Sequence, residues 1–362
     1  MKEYNTVTLH YLHSKLAFFI EPTLSLDRVF DFFSTHFFIK KDQVDENVIA
    51  NVYVTRDFSM FSEIDFDGGE EIYIRKSASD FFTIPGKRVF VEGIEYIKCV
   101  KTGTLIAFDS IRNKITISTK TTDTVQEELL FIELIRDLIL KNEENHGVVV
   151  LHATSAYKDG KASLIIGSKG AGKSTTLLEL VSKFDYQHMS GDKTFLWVEN
   201  GQLLASGWPD YPHLGLGTLS KYPKFIERLG LAEKIKAAKD NLWSTEHKMA
   251  VDPKLFKEVI PFTKQGLVAP VGSMIYPHLY PTEQCDIKPI SEHVDLMTPH
   301  IERIFIPGQK TWNHFIEPRN QAELEEMINK CLQAASKIPG YVIRGSGILE
   351  NVQLLSNKGA VL

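Results

Sequence analysis

Three cysteines in 362 residues, Cys99, Cys285 and Cys331, are too few and too far apart for a disulfide framework or a set of zinc thiolates, and they suit a reducing cytoplasm. Long apolar runs are also missing. The most apolar stretch, Leu129 to Leu140, is broken by Glu133, Arg136 and Asp137, short of the ~20 residues that cross a bilayer. Met1-Lys2-Glu3-Tyr4-Asn5 shows no basic region leading into an apolar block, so no secretory leader is expected. A basic surplus is lacking too: the formal net charge of -5 argues against broad affinity for nucleic acid, which rests on displaced counterions, and any phosphate binding has to be local. Repeats and low-complexity tracts are absent. What is there is ordinary for a globular protein, 43% hydrophobic and 24% charged, in a chain longer than one core usually serves. The expectation is a cytoplasmic two-domain protein whose partners include neither nucleic acid nor membrane.

Residues 1–122 predict a strand-rich accessory domain. Short β-rich runs (Val48 to Val54, Glu71 to Arg75, Arg88 to Val91, Leu105 to Phe108, Lys114 to Ser118) alternate with turns such as Asp67-Gly68-Gly69. No chemical motif stands out in this region, and the aromatics from Phe30 to Phe38 read as core. A second domain is expected over residues 123–362. Thr124 and Glu127 form a capping-box pattern, and Leu130, Leu134, Leu138 and Lys141 fall at four-residue steps, predicting an amphipathic helix through about Asn142. Two apolar runs follow, Val148 to Leu151 and Ala162 to Ile166, and the turn Lys158-Asp159-Gly160-Lys161 lies between them. So short a connection predicts an antiparallel pair, because a parallel return needs a crossover of about a dozen residues or more. Near the C-terminus, Asn320 and Glu323 suggest another capping box, and Leu324, Met327, Ile328, Cys331, Leu332 and Ala335 share one helical face that would cover a sheet.

Gly167-Ser168-Lys169-Gly170-Ala171-Gly172-Lys173-Ser174 fits the G-x-x-x-x-G-K-[ST] pattern without a mismatch, after an apolar strand and before the helix-forming run Thr175 to Val181. Glycines permit the backbone angles that turn successive N–H groups toward phosphate oxygens. Lys173 supplies charge to the β- and γ-phosphates, the Ser174 hydroxyl suits Mg²⁺, and the helix adds the positive end of its dipole. The expected ligand is therefore ATP with Mg²⁺, held by Gly167 through Thr175. Asp192, in the turn Gly191-Asp192-Lys193 after the short strand Tyr186 to Ser190, is the best candidate for the acidic partner, as a metal ligand or proton acceptor. The chain is expected to return there beside the loop strand. Lys193 is a candidate for steadying charge on the transferring phosphoryl group.

These residues carry a resemblance. Leu151-His152-Ala153, the hairpin turn, the loop from Ile166 to Thr175, and Met189-Ser190-Gly191-Asp192-Lys193 resemble the catalytic domain of HPr kinase/phosphorylase, with its phosphoenolpyruvate-carboxykinase-like fold. Gly215-Leu216-Gly217-Thr218-Leu219 is similar to a segment of the HPr-kinase-like proteins found in natural-product pathways. The resemblance covers residues 152 to about 219. It implies an α/β fold, a P-loop domain on a mixed sheet, ATP-dependent phosphotransfer, a role for His152, which alone reads as a core histidine, and assembly as a homo-oligomer. Two features depart from it: the relatives carry adjacent aspartates where this chain has Gly191-Asp192, and their phosphorylase signature is not recognisable here.

For the acceptor, Asp210 and His213 in Gly207-Trp208-Pro209-Asp210-Tyr211-Pro212-His213, together with His247 and Lys248, are candidate contacts suited to a hydroxyl-rich molecule. The leading expectation is a kinase for a small polyhydroxylated metabolite, sugar- or nucleoside-like. A Ser/Thr kinase acting on a peptide or carrier protein and a nucleotide-gated binding module stand as alternatives.

Overall fold

The β-rich runs of the N-terminal third zip into one sheet. In the computed structural model, which describes residues 3–44, 47–77, 79–238, 241–244, 247–280, 282, 284–306, 311–319 and 321–346, nine strands lie in the order β3-β1-β2-β4-β9-β8-β7-β6-β5. They are β1 (Asn5–Tyr11), β2 (Ser14–Ile20), β3 (Phe38–Lys41), β4 (Ala50–Thr55), β5 (Glu70–Arg75), β6 (Ile84–Val91), β7 (Ile94–Cys99), β8 (Leu105–Asp109) and β9 (Lys114–Ser118). Pairing is antiparallel except where β4 runs parallel to both β2 and β9. Helix α1 (Asp27–Phe33) buries Phe30, Phe32 and Phe33, and Phe37 joins them, so the aromatic cluster is core as its spacing suggests; Phe38 alone turns outward, at 47% exposure.

Helix α2 (Val125–Asn145) runs three residues beyond the expected Asn142. Thr124 caps it by accepting from the Glu127 amide, and the expected Leu130, Leu134, Leu138 and Lys141 are all buried. Glu127 does not complete the capping box. Its buried carboxylate accepts instead from the hydroxyls of Thr104 and Thr119, and burial pushes its pKa up despite them. By packing, the chain divides into residues up to His146 with Ile304–Gln321, and Gly147–Arg303 with the stretch from Ala322 on. Helix α2 thus packs with the first unit, whereas residue 123 had been the expected start of the second.

The second unit holds β10 (Val149–Lys158), β11 (Lys161–Ile166), α3 (Lys173–Lys183), β12 (Gln187–Ser190), β13 (Lys193–Glu199), β14 (Gln202–Gly207), β15 (His213–Gly215), α4 (Leu216–Leu219), α5 (Pro223–Leu229), α6 (Ala232–Ala237), β16 (Lys248–Ala250), α7 (Pro253–Val259), β17 (Val268–Leu279), β18 (Cys285–Ile290), α8 (Val294–Met297), β19 (Ile301–Glu302), α9 (Gln321–Ala335) and β20 (Gly340–Gly345). The expected hairpin is present: β10 and β11 pair antiparallel across a turn in which Asp159 and Gly160 both take positive φ. On its other edge β11 runs parallel to β17, which also pairs parallel with β20, so the sheet is mixed. Strands β11-β10-β13-β14-β17 close a circuit through the β11–β17 pairing.

One expectation fails here. Strand β12 does not return beside the loop strand; both β12 and β13 pair with β10. The reason is that β17 and the hairpin strand already occupy the two edges of β11. Helix α9 contributes buried Leu324, Ile328, Cys331 and Ala335 to the core formed by Val149, Leu151, Leu164, Met189 and Met274, as a helix covering a sheet should. Burial raises the Cys331 thiol to about 12, which keeps it unreactive. Asn320, the other half of the suggested C-terminal capping box, lies outside the described residues.

Candidate phosphate-binding site

The loop leaves β11 at Ile166 and enters α3 at Lys173. Gly170 and Gly172 adopt φ of +89° and +108°, angles that side-chain-bearing residues rarely take. At Gly172, which caps α3, an added Cβ would meet Leu279 at 2.4 Å, and at Gly167 it would sit 3.0 Å from the Ala171 Cβ. The Leu279 amide, at the end of β17, donates to the Ala171 carbonyl at 3.0 Å and ties the loop to the central strand. Ser168, Lys169 and Gly170 face solvent, and Ser174 is half-buried in the first helical turn. The Thr175 hydroxyl pairs with that of Thr218 at 2.9 Å, anchoring α4 to the loop helix. Gly172→Ala combines backbone strain of about 1–3 kcal/mol with the Leu279 clash. It should lower the urea midpoint and abolish nucleotide binding; a variant that melts and binds like the wild type would contradict this packing.

Lys173 donates to the Gly167 carbonyl at 2.6 Å and lies 3.2 Å from His152 Nε2. An ammonium only donates, so Nε2 accepts and the ring proton sits on Nδ1. That nitrogen faces Asp192 at 3.5 Å and Glu302 at 3.4 Å. Glu302 in turn pairs with Lys193. The ring of His300 stacks on His152 with centroids 6.4 Å apart. Strand pairing explains the meeting: β10 sets His152 opposite Lys193 on one side, and Val150 opposite Glu302 of β19.

The electrostatics follow from this crowding. Burial lowers the Lys173 pKa, Asp192 opposes the shift, and Lys248 adds to it. Lys248 is lowered likewise, by burial and then by Lys169, with Asp192 opposing. Burial first, and then the charge of Lys173, lower the His300 pKa. Burial by itself would raise Glu302, but the hydrogen bond with His152 and the charge of Lys193 outweigh it and hold the carboxyl at about 2.

A depressed carboxyl contributes stability that is fully present above its unfolded pKa of ~4.3 and disappears as the pH falls toward 2. Glu302→Gln should therefore lower the urea stability by about 2–3 kcal/mol at pH 7, and the gap to wild type should narrow steadily below pH 4.5. A gap that stays constant down to pH 3 would refute the ion-pair assignment.

The structure thus brings together Lys173, His152, Asp192, Lys169 and Lys248 from the sequence reading. Lys193 is present, but its ammonium is engaged by Glu302. Asp210 lies against the Gly191 turn: a Cβ on Gly191 would fall 2.7 and 2.9 Å from its carboxylate oxygens. This carboxylate fills the space that a side chain at 191 would take, beside Asp192. His213 is exposed on β15 opposite Ala250, and His247 and Lys248 border a cavity of about 480 Å³. Glu302 and His300 escaped the sequence reading. They sit more than a hundred residues from the loop, Glu302 in the two-residue strand β19 and His300 in the short helical turn just before it, with no motif to mark them.

Among solved structures, the HPr(Ser) kinase/phosphatase from Coxiella burnetii matches with a TM-score of 0.23 and 18% identity, over 39% of this chain and 77% of that one. A match this distant carries no argument about activity. No protein-family model and no curated protein matches the chain.

Mg²⁺ takes hard oxygen ligands, keeps several waters and shares substrate phosphates. A Ser174 hydroxyl and the half-exposed Asp192 carboxylate fit that demand. Among the described residues no trio of His, Cys, Asp or Glu forms an all-protein cage. No described helix is long and apolar enough to cross a membrane.

Proposed function

We propose that this protein is an ATP- and Mg²⁺-dependent phosphotransferase that moves the γ-phosphate to a hydroxyl of a small polyhydroxylated metabolite. The observation that carries the reading is the placement of Lys173. Its ammonium is half-buried at the start of α3, parked on the Gly167 carbonyl and His152, with burial outweighing the charge of Asp192. A triphosphate supplies further negative charge. Loop amides and the α3 N-terminus bind the phosphates, Lys173 shifts to the β- and γ-oxygens, and Ser174 with Asp192 would hold the metal that neutralises developing charge. On this reading Asp192 also takes the acceptor's proton.

Phosphoryl transfer through a loose transition state rests on positioning and charge, so a single acidic partner suffices. Full-length protein incubated with MgATP and hydroxylated acceptors should give ADP and a phosphorylated product by ³¹P NMR. Absence of nucleotide binding, or hydrolysis that no acceptor stimulates, would refute the proposal.

A further inference from the structure

The sequence reading leaves the acceptor as a polyhydroxylated metabolite and says nothing of its charge, yet the described walls of the cavity near the loop carry cationic side chains. Its walls include Lys234, Asn241, His247 and Lys248 over the apolar side chains of Leu216 and Met249. Among the described residues, neither Lys234 nor Lys248 forms an ion pair. A volume of about 480 Å³ lies in the range of small-molecule sites, ~300–1,000 Å³.

Strand register fixes where this cavity lies. Lys248 and Met249 of β16 stand opposite Gly215 and Leu214 of β15. Strand β15 runs straight into α4, which begins at Leu216 and is bound to the loop helix through Thr218 and Thr175. The cavity wall is therefore attached to the phosphate-binding helix itself. Lys248 lies within electrostatic reach of Lys169, Lys173 and Asp192. Asp192 and Lys173 would mark the terminal-phosphate end of a bound nucleotide, so Lys248 links the cavity wall to the end at which the transferred phosphate would lie.

We propose that this cavity is the acceptor site and that its substrate is a hydroxylated metabolite bearing an anionic group, a carboxylate or a phosphate. This inference rests on the phosphotransferase reading above. Lys234 and His247 bind the anion, Asn241 meets a hydroxyl, and the carbon skeleton lies on Leu216 and Met249. The acceptor oxygen forms a bond to the γ-phosphorus as the bond from that phosphorus to the bridging oxygen of ADP breaks, and the hydroxyl proton passes to Asp192. Lys248 spans the anion site and the transferring group, and prevents repulsion between the two negative substrates.

The test is calorimetric binding of glycerol, glycerate and glycerol 3-phosphate to the full chain saturated with Mg²⁺ and a non-hydrolysable ATP analogue. One or both anions should bind at least tenfold tighter than glycerol and lose affinity as salt is raised; the stronger of the two identifies carboxylate or phosphate as the group read. Lys234→Glu and, separately, Lys248→Gln should each weaken anion binding tenfold or more. Equal binding of glycerol and the anions, no binding of any of the three, or unchanged affinity in both variants would overturn the cavity assignment. Saturation with the analogue, measured first, reports on the phosphotransferase reading separately: failure there sinks that reading and not merely its acceptor.

Discussion

Lys173→Met should reduce kcat/KM for phosphoryl transfer by at least a hundredfold, equivalent to about 2.7 kcal/mol or more of lost transition-state stabilisation. Methionine keeps the length and apolar character of the stem, so packing around it is retained. What disappears is the cation that, on the proposed function, would meet the β- and γ-oxygens. In the free protein this ammonium is lowered in pKa by burial, hydrogen-bonded to the Gly167 carbonyl and His152, and supported in part by the charge of Asp192. The variant should therefore fold at least as stably as the wild type while losing activity. Equal activity with intact folding would remove Lys173 from the chemistry, and with it the proposal.

Asp192→Asn should be nearly as severe, with a loss of about a hundredfold or more in kcat and a clear rise in the Mg²⁺ concentration that gives half-maximal rate. The substitution is almost isosteric in a half-exposed turn, so little stability is at stake. On the proposed function it removes one metal oxygen and the group that would take the acceptor's proton. It also removes negative charge from beside Lys173 and Lys248, whose ammonium forms Asp192 supports. A Mg²⁺ titration separates these effects. If excess metal restores the rate, Asp192 acts through the ion; if the rate stays low at saturating metal, the lost function is proton acceptance. An Asp192→Asn protein with full activity at ordinary Mg²⁺ would exclude both roles.

Local signals were read correctly where the physics is local. The Asp159-Gly160 turn dictated a hairpin because two positive-φ positions match the twist of paired strands. Gly170 and Gly172 marked the loop because few other residues tolerate their angles. The four-residue steps of α2 gave its buried face, although its end slipped by three residues and Glu127 preferred two threonine hydroxyls to its own cap. The second-unit strands β13, β14, β17 and β20 were missed: β13 and β14 did carry a local hairpin signal in Asn200-Gly201, both at positive φ, whereas β17 and β20 pair parallel with no turn between them.

What the sequence by itself determined is the glycine-rich loop, its lysine and the helix that follows, because all three lie in one unbroken stretch from Gly167 to Lys183. Only the tertiary structure decided its surroundings. It set β12 and β13 on β10 because the edges of β11 were taken. It brought Glu302 and His300 to His152 through a two-residue strand, laid the Asp210 carboxylate in the space left by Gly191, and turned Lys193 to Glu302. The cationic cavity belongs to the same class, built from α4, α6 and β16. Pairing and packing between segments far apart in the chain leave no mark on any one of them, whereas backbone angles and helix periodicity do.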